Sequence, residues 1–321
     1  MTRLLQADPA RLDEILEGTY AIWGEGLSRS SYGAWNRAQM ATEWGRKHLR
    51  RMALIDDDTL LASAKRYDFT ATVGGETVAV LGIGAVFTPD ARRGHGHART
   101  LIDLMVDDAS ARGCAYALLF SEIGAGYYER AGFQVLPRTL VSIDVAPPPN
   151  RGAPATFVRS GEARDLPFIA EISARYRDGA GFSLDRPADL IAFGVTRRRL
   201  LAGLGPVGVR DVEFFVAEEG HRPVAYVFLT RSARGTVLEE CGDKDPSGAR
   251  IGAILQALAA RDPSTPALRL HGWLPSSIRP TQVTVTEGLA AAEIMMIRPL
   301  RDVASSTHRL TPILYWQTDV F

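Results

Sequence analysis

The run Ala85-Val86-Phe87-Thr88-Pro89-Asp90-Ala91-Arg92-Arg93-Gly94-His95-Gly96-His97-Ala98 holds the residues best suited to chemistry. Within it stands Arg-x-x-Gly-x-Ala, with Arg93, Gly96 and Ala98 at the named places. Glycine lets the backbone approach a ligand closely and take up unusual dihedrals. A helix that starts at such a loop offers unpaired N–H groups and a partial positive charge, which suits a phosphate or pyrophosphate. Arg93 adds a permanent charge and a forked donor. His95 and His97 lie in the same loop. A His-x-His pair without further ligands at metal spacing reads as loop histidines beside phosphate, and no metal is expected.

The elements that must position this loop follow from periodicity. An apolar strand over 77–87 leads in; it is rich in small residues (Gly82, Gly84, Ala85), as befits a strand that touches a ligand with its backbone. A helix over 98–112 leads out, with Leu101, Ile102, Met105 and Ala109 on one face and Gly113 as its C-cap. A strand over 115–120, a short helix over 124–130 and closing strands over 134–145 come next. Upstream, a strand over 3–6 precedes a long helical region, 11–50, broken near 24–31. A hairpin then turns at Asp56-Asp57-Asp58, and Gly74-Gly75 makes a second turn.

The loop resembles the acyl-CoA signature of the GNAT acetyltransferases. A second element agrees: Tyr127-Tyr128-Glu129-Arg130-Ala131-Gly132-Phe133 is similar to the family's Tyr-x-x-x-Gly-Phe element, in the family's order. Leu119-Phe120-Ser121-Glu122-Ile123-Gly124, followed by Tyr128, resembles two branches. One is the fungal lysine N6-acetyltransferases, whose Trp…Leu-Ser…Tyr pattern is similar to Trp23, Leu27, Ser28 and Tyr32; the other is the Eis-type aminoglycoside and lysine acetyltransferases. The match covers about residues 1–145. One departure is visible: Pro89 lies four residues before Arg93, where many members have three.

The resemblance implies the following site. The backbone of Val86, Phe87 and Thr88 pairs with a pantetheine arm like an added strand. Arg93, Gly94, His95, Gly96, His97, Ala98 and Arg99 cradle the pyrophosphate, and Ser121 is grouped with these cofactor contacts. Tyr128 is the general acid, a phenol protonated at neutral pH that gives its proton to a departing thiolate. Glu122 is a candidate base through water. As in the Eis-type branch, the tail inserts Phe321 toward Tyr128, its carboxylate being a further candidate. Trp23, Tyr32, Trp35 and Trp44 cluster in the region that walls the acceptor site, where aromatic faces suit an amine; at least two of the four read as ordinary core. The expected activity is an N-acyltransferase that uses acetyl-CoA, or another acyl-CoA, as co-substrate and a small primary amine as acceptor: lysine, another amino acid, a polyamine or an aminoglycoside. A longer-chain N-acyltransferase in antibiotic biosynthesis and a non-catalytic CoA-binding regulatory protein stay open as alternatives.

Composition sets bounds. With 321 residues, one large or two medium domains are expected. Lys plus Arg is 37 and Asp plus Glu is 37, so no general attraction to nucleic acid or an anionic membrane follows. Cys114 and Cys241 show no metal or disulfide spacing. No signal peptide or membrane-length apolar run is apparent, and a cytoplasmic enzyme is expected, with a homo-oligomer left open.

Ala146-Pro147-Pro148-Pro149-Asn150-Arg151-Gly152 reads as a stiff linker. It divides a catalytic domain, 1–146, from residues 156–321, with 147–155 between them. The second half restarts with a similar element order: a strand at 157–159, a helix over 162–176, a hairpin turning at Gly220, a strand over 236–240, a helix over 248–260, and strands over 267–274 and 293–298, the last closing its sheet. The expected fold class is α/β (α+β): two GNAT-like domains, each a mixed, mostly antiparallel sheet flanked by helices, the second degenerate. Its loop, Cys241-Gly242-Asp243-Lys244-Asp245-Pro246-Ser247-Gly248, carries carboxylates that repel a pyrophosphate.

Overall fold

The first three helix starts are set by side-chain caps. Asp8 accepts from the Arg11 N–H at 2.8 Å, Ser28 from the Ser31 N–H at 3.1 Å, and Thr42 from the Gly45 N–H at 3.0 Å. In the computed structural model, which describes residues 2–146, 157–261, 268–275, 277–301 and 310–321, the expected long helical region is therefore three helices: α1 (Pro9–Trp23), α2 (Arg29–Ala41) and α3 (Glu43–His48). Strand β1 (Thr2–Gln6) precedes them. After them come β2 (Leu49–Asp56), β3 (Thr59–Val73), β4 (Glu76–Phe87), α4 (His97–Ala111), β5 (Tyr116–Ser121), α5 (Gly126–Glu129), β6 (Gln134–Val135) and β7 (Thr139–Val145).

The later half contains β8 (Phe157–Ser160), α6 (Leu166–Arg175), β9 (Phe182–Leu184), α7 (Ala188–Gly203), β10 (Arg210–Glu219), β11 (Arg222–Ser232), β12 (Gly235–Asp243), α8 (Ala249–Ala259), β13 (Arg269–Gly272), β14 (Val283–Ala290), β15 (Ile294–Pro299) and β16 (Ile313–Leu314). The expected linker, 147–155, lies outside the described residues. Cys114 and Cys241 are buried and free. Among the described residues no helix is long and apolar enough to cross a membrane.

Two mixed sheets result, flanked by helices. One runs β1-β2-β3-β4-β5-β15-β6, with β9 joined to β3 and β16 to β9; the other runs β14-β7-β13-β12-β11-β10-β8. Two expectations are corrected here. β7, read as closing the first sheet, pairs with β13 and β14 in the second. The strand read as closing the second sheet is β15, which pairs antiparallel with β5 and β6 in the first. Each half thus completes the other's sheet. Both strands are buried apolar segments (Val141, Ile143 and Val145; Met295, Met296 and Ile297), so either sheet satisfies their hydrophobic pattern and chain order does not choose.

Each half contains a parallel pair of neighbouring strands joined by a single crossover helix. β4 and β5 are parallel and joined by α4; β12 and β13 are parallel and joined by α8. α4 turns Leu101, Ile102, Met105, Val106 and Ala109 onto Leu81, Ile83, Ala117 and Leu119. Each large apolar side chain so buried contributes roughly 1.5–3 kcal/mol. That packing fixes where the N-terminus of α4 points: the carboxyl ends of β4 and β5, where open α/β sheets bind ligands.

Candidate active site

The ladder between β4 and β5 stops early. It runs from Val80–Tyr116 to Ile83–Leu119, whereas β4 continues to Phe87. Ala85 takes φ 47°, uncommon for a residue with a Cβ, and the β3–β4 register shifts at this point between Ser63 and Lys65. The bulge turns β4 away from β5. Among the described residues the edge of β4 that faces β5 has no strand partner from Gly84 to Phe87, so its N–H and C=O groups form a template for an extended ligand.

One lip of this cleft is the glycine loop. Gly94 and Gly96 both lie in the left-handed region (φ 82° and 78°), and a Cβ built at either meets nothing within 4 Å. Gly96 is the N-cap of α4 and offers no side-chain cap, so the first N–H groups of this 15-residue helix face open space. His95 and His97 flank Gly96 with rings 5.9 Å apart. Arg93 is placed differently from the expectation. Its guanidinium pairs with Asp90 (2.6 Å) and donates to the Thr88 carbonyl (3.3 Å), bracing the turn. Arg99 also has internal work: it pairs with Asp103 (2.7 Å) and donates to the Arg130 carbonyl (2.5 Å), tying α4 to the end of α5. The cradle that remains is the backbone, and it fits a pyrophosphate.

The other lip is α5. Ser121 at the end of β5 donates to the Gly124 carbonyl at 2.6 Å and so shapes the turn that precedes α5. Tyr128 is 8% exposed, and burial, with Tyr127 and Glu122 nearby, pushes its phenol up to about 12. Tyr127 packs instead toward Arg99 and Arg130, outside the cavity, and burial raises its phenol as well.

Between the lips lies a cavity of about 320 Å³. It brings together Trp23, Tyr32, Trp35, Val86, Glu122, Tyr128 and Phe321, seven residues singled out from sequence. Tyr32 is anchored by a hydrogen bond of 3.0 Å between its hydroxyl and that of Thr19, and Trp35 donates its indole N–H to the Arg197 carbonyl at 3.0 Å. Trp44 is elsewhere. It stacks with His48, Tyr67, Phe69 and Phe193 and lines a different, larger cavity of about 430 Å³.

The Phe321 ring sits 4.5 Å from Tyr67, 5.2 Å from Phe69 and 5.4 Å from Phe120, centre to centre. Gly82 and Gly84 make room for it: a Cβ on Gly82 would lie 2.9 Å from the Phe321 Cζ, and one on Gly84 3.2 Å from its Cδ2. Gly82 and Gly84 therefore leave room for the Phe321 ring, while Gly84 and Ala85 also line the cavity.

Several lining residues carried no signal in the sequence. Lys65 lies in β3, Asn36 and Gln39 in α2, and Arg197 in α7. Burial pushes the Lys65 ammonium well below its ordinary value, and Arg51 and Arg197 push the same way. Burial, reinforced by Arg198, lowers the Arg197 guanidinium to about 10.

In the second half the corresponding site is filled. Gly248 (φ 73°) caps α8 as Gly96 caps α4. There, however, Asp243 accepts from the Arg250 N–H (2.9 Å) and pairs with its guanidinium (3.1 Å), and Asp245 accepts from the Ser247 N–H (2.9 Å). The chain's own carboxylates occupy that helix start.

Residues 13–136 match the family model described as "Acetyltransferase (GNAT) domain". The fold is similar to that of a GCN5-related N-acetyltransferase from Anabaena variabilis (TM-score 0.70, 12% identity, covering 94% of this chain and 73% of that one). It is also similar to a probable N-acyltransferase from Enterococcus faecalis (TM-score 0.69, 12% identity, 94% and 72%) and to Eis1 from Mycobacterium abscessus (TM-score 0.58, 16% identity, 94% and 74%). No curated protein matches the chain significantly by sequence. The segment that carries the parted strands, the glycine loop, Glu122 and Tyr128 is thus a GNAT acetyltransferase domain.

Proposed function

We propose that this protein is an acyl-CoA-dependent N-acyltransferase, with acetyl-CoA as donor and a small primary amine as acceptor. The observation that carries the reading is the parting of β4 and β5 at Ala85, which leads from an open helix start on one side to a cavity holding Tyr128 on the other. When bound, the thioester supplies an activated acyl carbon: the amine nitrogen forms the new C–N bond and the C–S bond breaks.

The chain's own groups divide the work. The N–H groups after Gly96 hold the pyrophosphate, and the free edge 84–87 holds the arm and polarises the acyl carbonyl. Tyr128, kept neutral by burial, gives its proton to the departing sulfur. Glu122, exposed at the rim of the same cavity, takes the proton lost by the amine through water. Phe321, with Tyr32 and Trp35, walls the acceptor space and limits water. The filled helix start at Asp243 leaves one acyl-CoA site per chain.

Release of free thiol from acetyl-CoA against a panel of amines tests this. Turnover with at least one amine, lost when Tyr128 is changed, is expected. Tight CoA binding without thiol release from any amine would leave a binding protein and overturn the catalytic reading.

A further inference from the structure

Arg51 and Lys65 occupy directly opposed positions on β2 and β3. Two like charges at such a pair repel, and here both are withdrawn from bulk water. Arg51 is 2% exposed, and its two terminal nitrogens are buried with no hydrogen-bond partner. They line a narrow recess with Leu12, Asn36, Met40, Leu49 and Lys65. Asn36 and Lys65 also line the main cavity, so Lys65 stands between the two spaces. The Lys65 Nζ lies 3.5 Å from the Gln39 side-chain oxygen and 5.6 Å from the centre of the Trp35 ring. A third cation, Arg197, borders the same space.

Of the acidic side chains around the cavity, one is paired elsewhere and the other two stand away from Lys65. Glu25 pairs with Arg210 at 3.0 Å, Glu122 stands at the Tyr128 rim, and Glu293 faces Arg138. A buried guanidinium with unmet donors costs several kcal/mol unless an anion reaches it. Lys65 and Arg197 line the main cavity itself, with Arg51 beside Lys65, which implies that the anion arrives with the ligand.

We infer that the acceptor is a primary amine that also carries a carboxylate, the carboxylate being held at Lys65 and Arg197, with the charge of Arg51 beside Lys65 reinforcing them, while the amine points back toward Tyr128. This rests on the acyltransferase reading of the cavity and narrows it. Amino acids and ω-amino acids fit. Polyamines and aminoglycosides, which would add cations to a cavity already crowded with them, do not.

Calorimetric titration with matched pairs tests the inference: L-lysine against cadaverine, and 6-aminohexanoate against hexylamine, with glycine and 4-aminobutanoate to vary the spacing. In the unaltered protein at least one carboxylated amine is expected to bind about tenfold tighter or more than its partner lacking the carboxylate. In Lys65→Met that ratio falls to about twofold or less, and Arg51→Met lowers it in the same direction. The ligand-free Arg51→Met protein melts at the same temperature or higher, because an uncompensated buried charge has gone; an arginine kept for structure would lower the melting temperature and leave the ratio alone. Equal binding within every pair, or a ratio unmoved by Lys65→Met, overturns the inference. Carboxylate-dependent binding without any acyl transfer would sustain it and sink the acyltransferase reading. Acetylation of amines regardless of carboxylate would do the reverse.

Discussion

Ile297 lies opposite Leu118 in the first sheet, although the two belong to different halves of the chain. Both are fully buried. β15 stands between β5 and β6 and is the element that links them. The GNAT domain is therefore not closed by its own sequence. A fragment ending at residue 146 lacks β15 and leaves the whole of β5 as an open apolar edge. Such a fragment is expected to be insoluble, or to unfold without a sharp transition, while the full chain unfolds cooperatively. A peptide of residues 291–301 supplied in trans should recover part of the soluble yield. A monomeric 1–146 fragment with a sharp thermal transition would show that the exchange is dispensable.

Local signals in the sequence were enough for the strand–loop–helix unit and for placing Tyr128 on the short helix after β5, because each depends on neighbours in the chain: an apolar β4, glycines at 94 and 96, an amphipathic α4. Strand partnership is not local, and the exchange of β7 and β15 left no trace in periodicity. α7 was also silent. It buries Leu190, Ile191, Phe193, Val195 and Arg197 on several sides, so no single apolar stripe marks it. In its Arg197-Arg198-Arg199 run, Arg197 donates to the Val320 carbonyl, Arg198 pairs with Glu239 at 2.8 Å, and Arg199 reaches the Gly161 carbonyl at 3.4 Å. Lys65 and Arg51 were hidden for the same reason: a charge within an apolar strand has meaning only once its cavity exists.

Tyr128→Phe removes the proposed proton donor and little else, since the ring still packs 6.2 Å from Phe133, centre to centre. A kcat reduced by about tenfold or more is expected, toward the usual range for general acids, ~10²–10⁴, with CoA affinity unchanged. Because burial raises this phenol to about 12, it stays protonated as pH rises. The kcat profile of the unaltered enzyme should therefore show no alkaline fall from Tyr128 below about pH 10, the ordinary phenol value. A full rate in Tyr128→Phe would dismiss the assignment.

Gly96→Val tests the loop. A β-branched residue is strained at φ 78° by roughly 1–2 kcal/mol, and its side chain projects into the space where the phosphate would sit. CoA binding should weaken by about tenfold or more, the equivalent of 1.4 kcal/mol per decade. Arg93→Ala should cost less, because that side chain is 58% exposed and already paired with Asp90. Calorimetry with CoA measures both, and the reverse order of effects would put the arginine, not the backbone, at the centre of the phosphate site.

The last residues are moored independently of Phe321. Asp319 pairs with Arg186 at 3.0 Å, Thr318 donates to Glu240 at 2.7 Å, and Arg186 grips Glu240 through two bonds of 2.7 and 2.6 Å. Deleting residues 319–321 would break this buried network and confound folding with function; breaking such a pair costs about 3–5 kcal/mol. Phe321→Ala is the cleaner change. It removes a part-buried ring from Tyr67, Phe69 and Phe120 but leaves the mooring intact. Turnover should fall by about tenfold or more, as misplacement near a reacting centre does, while Arg186→Leu should lower the melting temperature far more than Phe321→Ala. Steady-state kinetics beside thermal unfolding separates the two effects. A Phe321→Ala enzyme with the original kcat and KM would mean that the ring only fills space above Gly82 and Gly84.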